Sequence, residues 1–255
     1  MFLQPLICGA FICFAACNLV FAEALVTDRP DFTESTSVVP LHVLQVEMGY
    51  TYGHTGSAKS HSFGELLCRA GAMDNVEWRI EVGSYLVDNS SGSWQPGFND
   101  PALGLKWGLW SGVPTFLGSM NTAVIGMLTL PLGSPAFSES KISPEVKWCM
   151  DWDTGTAFGL ASNLNYAYPS SGGVSFSQFS WSLSASYEFS DRWGGYLEYY
   201  TFRPAKPTGD SSNILNTGLT YLLSNTTQLD ARAGVGLDGA SPDYFAGVGY
   251  SVLYQ

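Results

Sequence analysis

Residues 179–189 alternate without a break: Phe179, Trp181, Leu183, Ala185, Tyr187 and Phe189 fall on one set of positions, Ser180, Ser182, Ser184, Ser186 and Glu188 on the other. Successive side chains of an extended strand point to opposite faces, so this stretch has one apolar and one polar face. At roughly 3.3 Å per residue, a tilted run of this length crosses a hydrocarbon layer of about 25 Å.

The pattern recurs. Leu44, Val46, Met48, Tyr50 and Tyr52 alternate with Gln45, Glu47, Gly49 and Thr51; Val76, Trp78, Ile80 and Val82 alternate with Glu77, Arg79, Glu81 and Gly83. Val146, Trp148, Met150 and Trp152 alternate with Glu145, Lys147, Cys149 and Asp151, and Leu229, Ala231, Ala233 and Val235 with Gln228, Asp230, Arg232 and Gly234. With weaker runs, the periodicity predicts twelve strands at 42–53, 62–72, 76–87, 100–110, 117–130, 144–152, 156–168, 175–189, 193–203, 213–222, 227–237 and 243–254. The gaps after even-numbered strands are short (73–75, 111–114, 153–155, 190–192, 223–226). Those after odd-numbered ones are mostly longer and rich in Gly, Ser and Pro (54–61, 88–99, 131–143, 169–174, 204–212, 238–242). Tight turns alternating with longer loops is the habit of an antiparallel transmembrane β-barrel, with turns in the periplasm and loops outside. No helix is expected after residue 22.

Composition decides which face meets water. Charged residues are only 13% of the chain, aromatics 14%, and Gly numbers 28. A soluble barrel would point its apolar face inward and cover its outside with Lys and Glu. Here only five lysines follow residue 22 (Lys59, Lys106, Lys141, Lys147, Lys206), and aromatics gather near both ends of the strands, as at membrane interfaces. The expected fold is therefore all-β, a transmembrane antiparallel barrel of about twelve strands. A net charge of −11 argues against nucleic acid as a partner, because phosphate binding needs clustered cations.

Residues 1–22 form an apolar stretch without charge, ending Val20-Phe21-Ala22 before Glu23. This predicts a signal peptide cleaved ahead of Glu23 and export to the outer membrane of a diderm bacterium. Cys17 after Ala15-Ala16 offers a lipoprotein alternative, and a retained anchor is a third. Cys68 and Cys149 fall on opposite strand faces, which points to two free thiols. The predicted organisation is a signal peptide at 1–22, a periplasmic N-terminal segment at 23–41 and a barrel at 42–255.

Several stretches resemble the MetA-pathway of phenol degradation family of outer-membrane transporters. They are Thr27-Asp28-Arg29-Pro30-Asp31-Phe32-Thr33-Glu34 with Gln45-Val46-Glu47-Met48-Gly49-Tyr50 near the start, and Gln228-Leu229-Asp230-Ala231-Arg232 with Pro242-Asp243-Tyr244-Phe245-Ala246-Gly247-Val248-Gly249-Tyr250 near the end. Looser matches lie between, in Glu65-Leu66-Leu67-Cys68-Arg69 and Leu128-Thr129-Leu130-Pro131-Leu132-Gly133. The resemblance implies an outer-membrane channel, in some members associated with uptake of aromatic compounds. Gly249, Val252 and Tyr254 also resemble the closing signal read by the barrel-assembly machinery, although the chain ends on Gln255 rather than an aromatic.

Projecting the polar phases inward puts Glu47, Glu65, Arg69, Glu77, Arg79, Glu81, Lys106, Glu145, Lys147, Asp230 and Arg232 in the lumen, together with Asp151, Glu188 and Glu198. Two roles fit them: a salt-bridged ladder that neutralises charge and stiffens the wall, and a constriction that selects solutes. Asp28, Arg29 and Asp31, with Glu34, charge the N-terminal segment. That segment is either a partial plug in the periplasmic mouth, with Arg29 pairing a wall carboxylate, or a loose periplasmic tail.

Three function classes follow: a passive channel for small solutes, aromatic or hydrophobic compounds among them; an occluded structural or adhesive barrel; and a lipid hydrolase. The last would need a Ser–His pair, for which the only histidines are His42, His54 and His61, the latter two in or beside the first outer loop. No nucleophile elbow, phosphate loop or metal-ligand cluster is legible, so no enzyme activity, cofactor or metal is expected. The expected partners are outer-membrane lipid, a small solute and, during biogenesis, the assembly machinery.

Overall fold

The computed structural model describes residues 25–207 and 209–255; the signal-peptide stretch at 1–22 lies outside them. Strands follow one another as β1 (Leu44–Thr55), β2 (Ala58–Met73), β3 (Val76–Val82), β4 (Tyr85–Asp88), β5 (Gln95–Phe98), β6 (Ala102–Thr115), β7 (Gly118–Thr129) and β8 (Ser143–Asp153). Then come β9 (Phe158–Ala167), β10 (Ser170–Ser171), β11 (Val174–Ser175), β12 (Gln178–Glu188), β13 (Trp193–Arg203), β14 (Ser212–Ser224), β15 (Thr227–Gly236) and β16 (Tyr244–Tyr254). β10 and β11 are a small hairpin outside the wall, turned by Gly172 (φ 58°) and Gly173 (φ 79°), the two positive dihedrals such a tight turn requires.

The remaining strands make a closed antiparallel barrel with twelve wall positions. Closure rests on β1, which pairs with β16 from Leu44↔Tyr254 to His54↔Tyr244 and with β2 on its other side. Two wall positions are shared by broken strands. β3 and β4 both pair with β2, while β5 pairs with β4 and β6 with β3. At the level of the break, Gly64 (φ 95°) and Glu65 (φ 38°) bend β2, and Ser84 and Asp100 lie buried in the neighbouring wall. A positive φ is uncommon for a glutamate.

Burial follows strand phase, inverted from that of a soluble protein. In β12, Ser180, Ser182 and Ser184 are buried while Phe179, Trp181 and Leu183 are exposed. In β3, Glu77 and Arg79 are inaccessible while Trp78 and Ile80 are half exposed. An exposed apolar belt around a buried polar interior is stable only where the outside is hydrocarbon. Cys149 is fully buried on the inward phase, and Cys68 pairs with Ile80 on the outward one.

Two connections differ from the sequence expectation. The eight-residue outer loop at 54–61 is a hairpin: β1 and β2 stay paired to Thr55↔Ala58, and Gly56 (φ 60°) and Ser57 turn the chain. Aromatic pairs extend the ladder there, with ring centroids of Tyr52 and His61 5.3 Å apart and those of His54 and Tyr244 5.0 Å apart. The turn expected at 111–114 is instead a bulged continuation of β6, whose register against β7 shifts between Gly108 and Trp110 and again before Val113. Phe116 and Leu117 make the turn.

Leu183 sits in the outward row of β12, so Leu183→Arg is expected to destabilise the barrel by about 2–4 kcal/mol near the bilayer midplane. Urea unfolding in phospholipid vesicles, followed by tryptophan fluorescence, measures this. A variant as stable as wild type would invalidate the assignment of faces.

Candidate functional site

Residues 25–43 have no strand of their own and lie inside the ring of inward side chains. The segment starts at the turn end of the barrel, where the Leu25 amide donates to the Asn225 carbonyl (3.0 Å). It rises to Asp31 and Phe32, then returns to the same end, where Val43 and Gly71 share a backbone hydrogen bond and Leu41 bridges Gly71. Its course is an inverted loop with both feet at the turn end of the barrel.

An irregular backbone at membrane depth persists only if the protein satisfies its amides. Here wall carboxylates do so. Glu47 accepts from the amides of Asp28 (3.1 Å) and Arg29 (3.0 Å), and Glu77 from that of Val39 (2.7 Å). Glu198 accepts from the amides of Phe32 (2.9 Å) and Thr33 (2.6 Å) and from the Thr33 hydroxyl (2.6 Å). Asp151 takes the Thr36 hydroxyl. Wall donors reach the carbonyls: Gln45 Nε2 to Val26 (2.9 Å), Arg69 Nη2 to Ser37 (2.8 Å) and Arg232 Nη1 to Pro30 (3.1 Å).

The charges interlock. Arg79 Nη1 (2.6 Å), Lys106 Nζ (2.9 Å) and Arg69 Nη1 (3.4 Å) converge on Asp28 Oδ2. Burial acts to raise the Asp28 pKa, but Arg69, Lys106 and Arg79 together hold it well below the usual carboxylate range. Arg29 pairs with Glu65 (2.8 Å) and Asp230 (3.4 Å), lying across a notch left by Gly49 and Gly249, which face each other across β1 and β16. A methyl group at either glycine would collide with the guanidinium. Glu34 bridges Arg79 and Lys147.

At the apex, the Phe32 ring stacks on Tyr200 (centroids 4.5 Å) and meets Phe202 edge-on (5.2 Å). Asp31 accepts from Ser184 Oγ (3.1 Å). Burial first, then the nearby Glu198 carboxylate, push the Asp31 pKa well above its ordinary value. A cavity of about 220 Å³ lies beside the apex, bounded by Asp31, Phe32, Glu81, Lys147, Tyr200 and Arg232. Another of about 280 Å³ shares Glu81 and Arg232 and extends to Gly83 and Asn99 at the wall break. Beyond the returning limb, toward the turns, about 540 Å³ is lined by Thr36, Asp74, Asn75, Trp110, Asn121 and Asp151.

The sequence-derived residues divide by position. Glu47, Glu65, Arg69, Glu77, Arg79, Lys106, Lys147, Asp230 and Arg232 all touch the segment. Glu145 does not; it pairs with Lys147 at 3.5 Å. Glu81 lines the apex cavity, and Glu188 is exposed near the turns. His54 and His61 belong to strands: His54 Nδ1 lies 3.1 Å from Asp243 Oδ2, and His61 Nδ1 lies 2.8 Å from the Tyr50 hydroxyl. Among the described residues neither is hydrogen bonded to a serine. Phe32, Thr33, Thr36, Gln45, Ser184 and Tyr200 were not legible as site residues. The one available signal was an aromatic in an otherwise polar segment, opposite polar-phase Ser and Gln.

These features define a twelve-stranded barrel of the outer-membrane type whose own N-terminal segment folds into its lumen. The chain belongs to the family described as "Putative MetA-pathway of phenol degradation", which matches residues 27–254. It is similar in structure to the COG4313 outer membrane channel from Pseudomonas putida F1, at 12% identity and a TM-score of 0.64 over 86% of this chain and 98% of that one. It is similar also to the KdgM porin (10%, TM-score 0.53, 82% and 99%) and the NanC porin (10%, TM-score 0.52, 82% and 98%). No curated protein matches the sequence.

Asp28→Ala leaves Arg69, Arg79 and Lys106 facing an empty position, at an expected cost of about 3–5 kcal/mol to the segment's docking. Faster hydrogen exchange confined to residues 25–43, with the strands still protected, is the expected readout. Asp31 acts with the opposite sign. Its raised pKa contributes stability below the ordinary carboxylate value, and this is lost as pH rises through the raised value. Asp31→Asn is therefore expected to slow exchange of the segment at pH above that raised value and to match wild type in acid. A wild-type segment whose exchange has the same pH dependence as that of Asp31→Asn would contradict this.

Proposed function

We propose that this protein is an outer-membrane channel for passive passage of small solutes, with residues 25–43 as a constriction inside its lumen. One observation carries the reading. The segment is held almost wholly by side chains, through ion pairs and capped amides, while the wall closes by its own backbone ladder. Cavities lie on both sides of it. A constriction attached this way can shift without opening the barrel.

The solute class we infer is small and aromatic with a polar substituent. Support comes from the apex, where Phe32, Tyr200 and Phe202 present rings beside Arg232, Lys147 and Glu81, and from the family's association with phenol degradation. Solutes would move down their own gradient. The same reading places the chain in the outer membrane after cleavage of its leader, with β16 presented to the assembly machinery.

Planar-bilayer recording tests the proposal. Wild type is expected to conduct ions, and Arg29→Ala, which frees Glu65 and Asp230, to raise conductance or the frequency of transitions. Unchanged conductance and gating in Arg29→Ala would remove the segment's role. A barrel electrically silent both as wild type and without residues 25–41 would instead be an occluded structural or adhesive one.

A further inference from the structure

The outward face of β8, β9, β12 and β13 is not a uniform apolar belt. Register aligns Val146, Tyr166, Phe179 and Arg203 in one cross-strand row, and Trp148, Leu164, Trp181 and Thr201 in the next. Met150, Ser162, Leu183 and Tyr199 form a third. Ser162 and Thr201 are small, polar and buried on a phase that elsewhere carries large exposed side chains. Trp181 leans over them: its Nε1 donates to Ser162 Oγ (3.2 Å), and its ring lies 5.7 Å from that of Tyr199. The result is a groove of about 500 Å³ lined by Trp148, Leu164, Phe179, Trp181 and Tyr199, with Arg203 at its outer end.

Arg203 is the unusual member. It ends β13 on the loop side, points outward with the lipid-facing row and is exposed. Its Nε reaches Thr201 Oγ1 at 3.4 Å, and among the described residues no carboxylate pairs with it. In a chain of net charge −11, Arg29, Arg69, Arg79 and Arg232 are all ion-paired. Arg192, which also has no carboxylate partner among the described residues, sits in the exposed turn before β13. Arg203, by contrast, is a guanidinium at the edge of an apolar groove, where an external anion would complement it. An open groove also forfeits dispersion contacts unless a chain fills it.

We propose that this groove is a binding site for a phosphorylated, acylated glycolipid of the outer leaflet. One acyl chain lies along Trp148, Leu164, Phe179 and Trp181, and the phosphate takes a charge-assisted, forked pair from Arg203. The groove volume falls within the roughly 300–1,000 Å³ usual for small-molecule sites. The proposal depends on the barrel facing lipid, not on its being a channel.

The test is native mass spectrometry of the intact protein in nanodiscs, with lipid A and with phosphatidylethanolamine as separate probes. Wild type is expected to retain one lipid A after activation that strips phosphatidylethanolamine. Arg203→Gln should lower that retention by about tenfold, as loss of one charge-assisted pair implies, and Arg203→Lys should fall between. Ser162→Phe, which fills the groove, should displace the lipid with Arg203 intact. Heat-modifiable migration confirms that each variant is a folded barrel, and planar-bilayer conductance of Arg203→Gln should equal that of wild type. Equal retention of lipid A by wild type and Arg203→Gln, equal retention of both lipids by wild type, or no retained lipid would each overturn the proposal.

Discussion

Everything inside this barrel follows from the need to satisfy the backbone of an irregular segment where neither strand ladder nor bulk water does so. The wall supplies as side chains what a neighbouring strand would supply as backbone: Glu47, Glu77 and Glu198 as acceptors, Gln45, Arg69 and Arg232 as donors. That choice brings charge into the lumen, and the charge must then be balanced. Asp28 is where the balance closes, because Arg69, Arg79 and Lys106 all end on its carboxylate. Without Asp28 the wall cations keep only Glu47, Glu77 and Glu34 as counter-charges; without them Asp28 is a bare buried anion.

Much of the fold was legible because hydrocarbon on one side and polar contents on the other force strict alternation over every crossing, and β12 and β3 display it fully. What escaped was local. Residues 54–61 carry the Gly, Ser and Lys of a loop, yet His54, His61, Tyr52 and Tyr244 pair as rings, and that ladder outweighs the weak strand preference of the tip. At the breaks between β3 and β4 and between β5 and β6 sit Ser84 and Asp100, both buried. Asp100 accepts from the amides of Gly133 and Glu139 in the following outer loop, a contact that a phase count passes over. For the site, phase alone identified the inward charges. Which of them meet depended on the path of residues 25–43, whose lack of periodicity left only composition to read: the segment's charges were visible, its partners were not.

Wall and segment are stabilised by different forces, and this separates folding from opening. The wall's backbone hydrogen bonds run strand to strand around the full circle. Among the described residues the segment joins the barrel's backbone only at its two feet, Leu25 on Asn225 and Val43 on Gly71. Its attachment is electrostatic. Removing one partner from a dry ion pair is costly, but displacement of the segment admits water to the lumen, where Arg69, Arg79 and Lys106 regain hydration at higher dielectric. If the segment is the proposed constriction, displacing it costs much less than the burial of these charges suggests.

The attachments are also uneven along the loop. The feet carry backbone hydrogen bonds to Asn225 and Gly71 and sit beside the Asp28 cluster, whereas the apex rests on Glu198, Ser184 and the stack of Phe32 on Tyr200. Asp31, buried beside Glu198, weakens the hold there once it ionises, so the apex becomes the less firmly held end as pH rises through its raised pKa. Under the proposed role as a constriction, motion that starts at the apex and hinges at the feet would widen its outer side first. On the proposed reading it also exposes an aromatic surface beside the apex cavity, so an aromatic solute that replaces Phe32 against Tyr200 would offset part of the energy lost in displacing it.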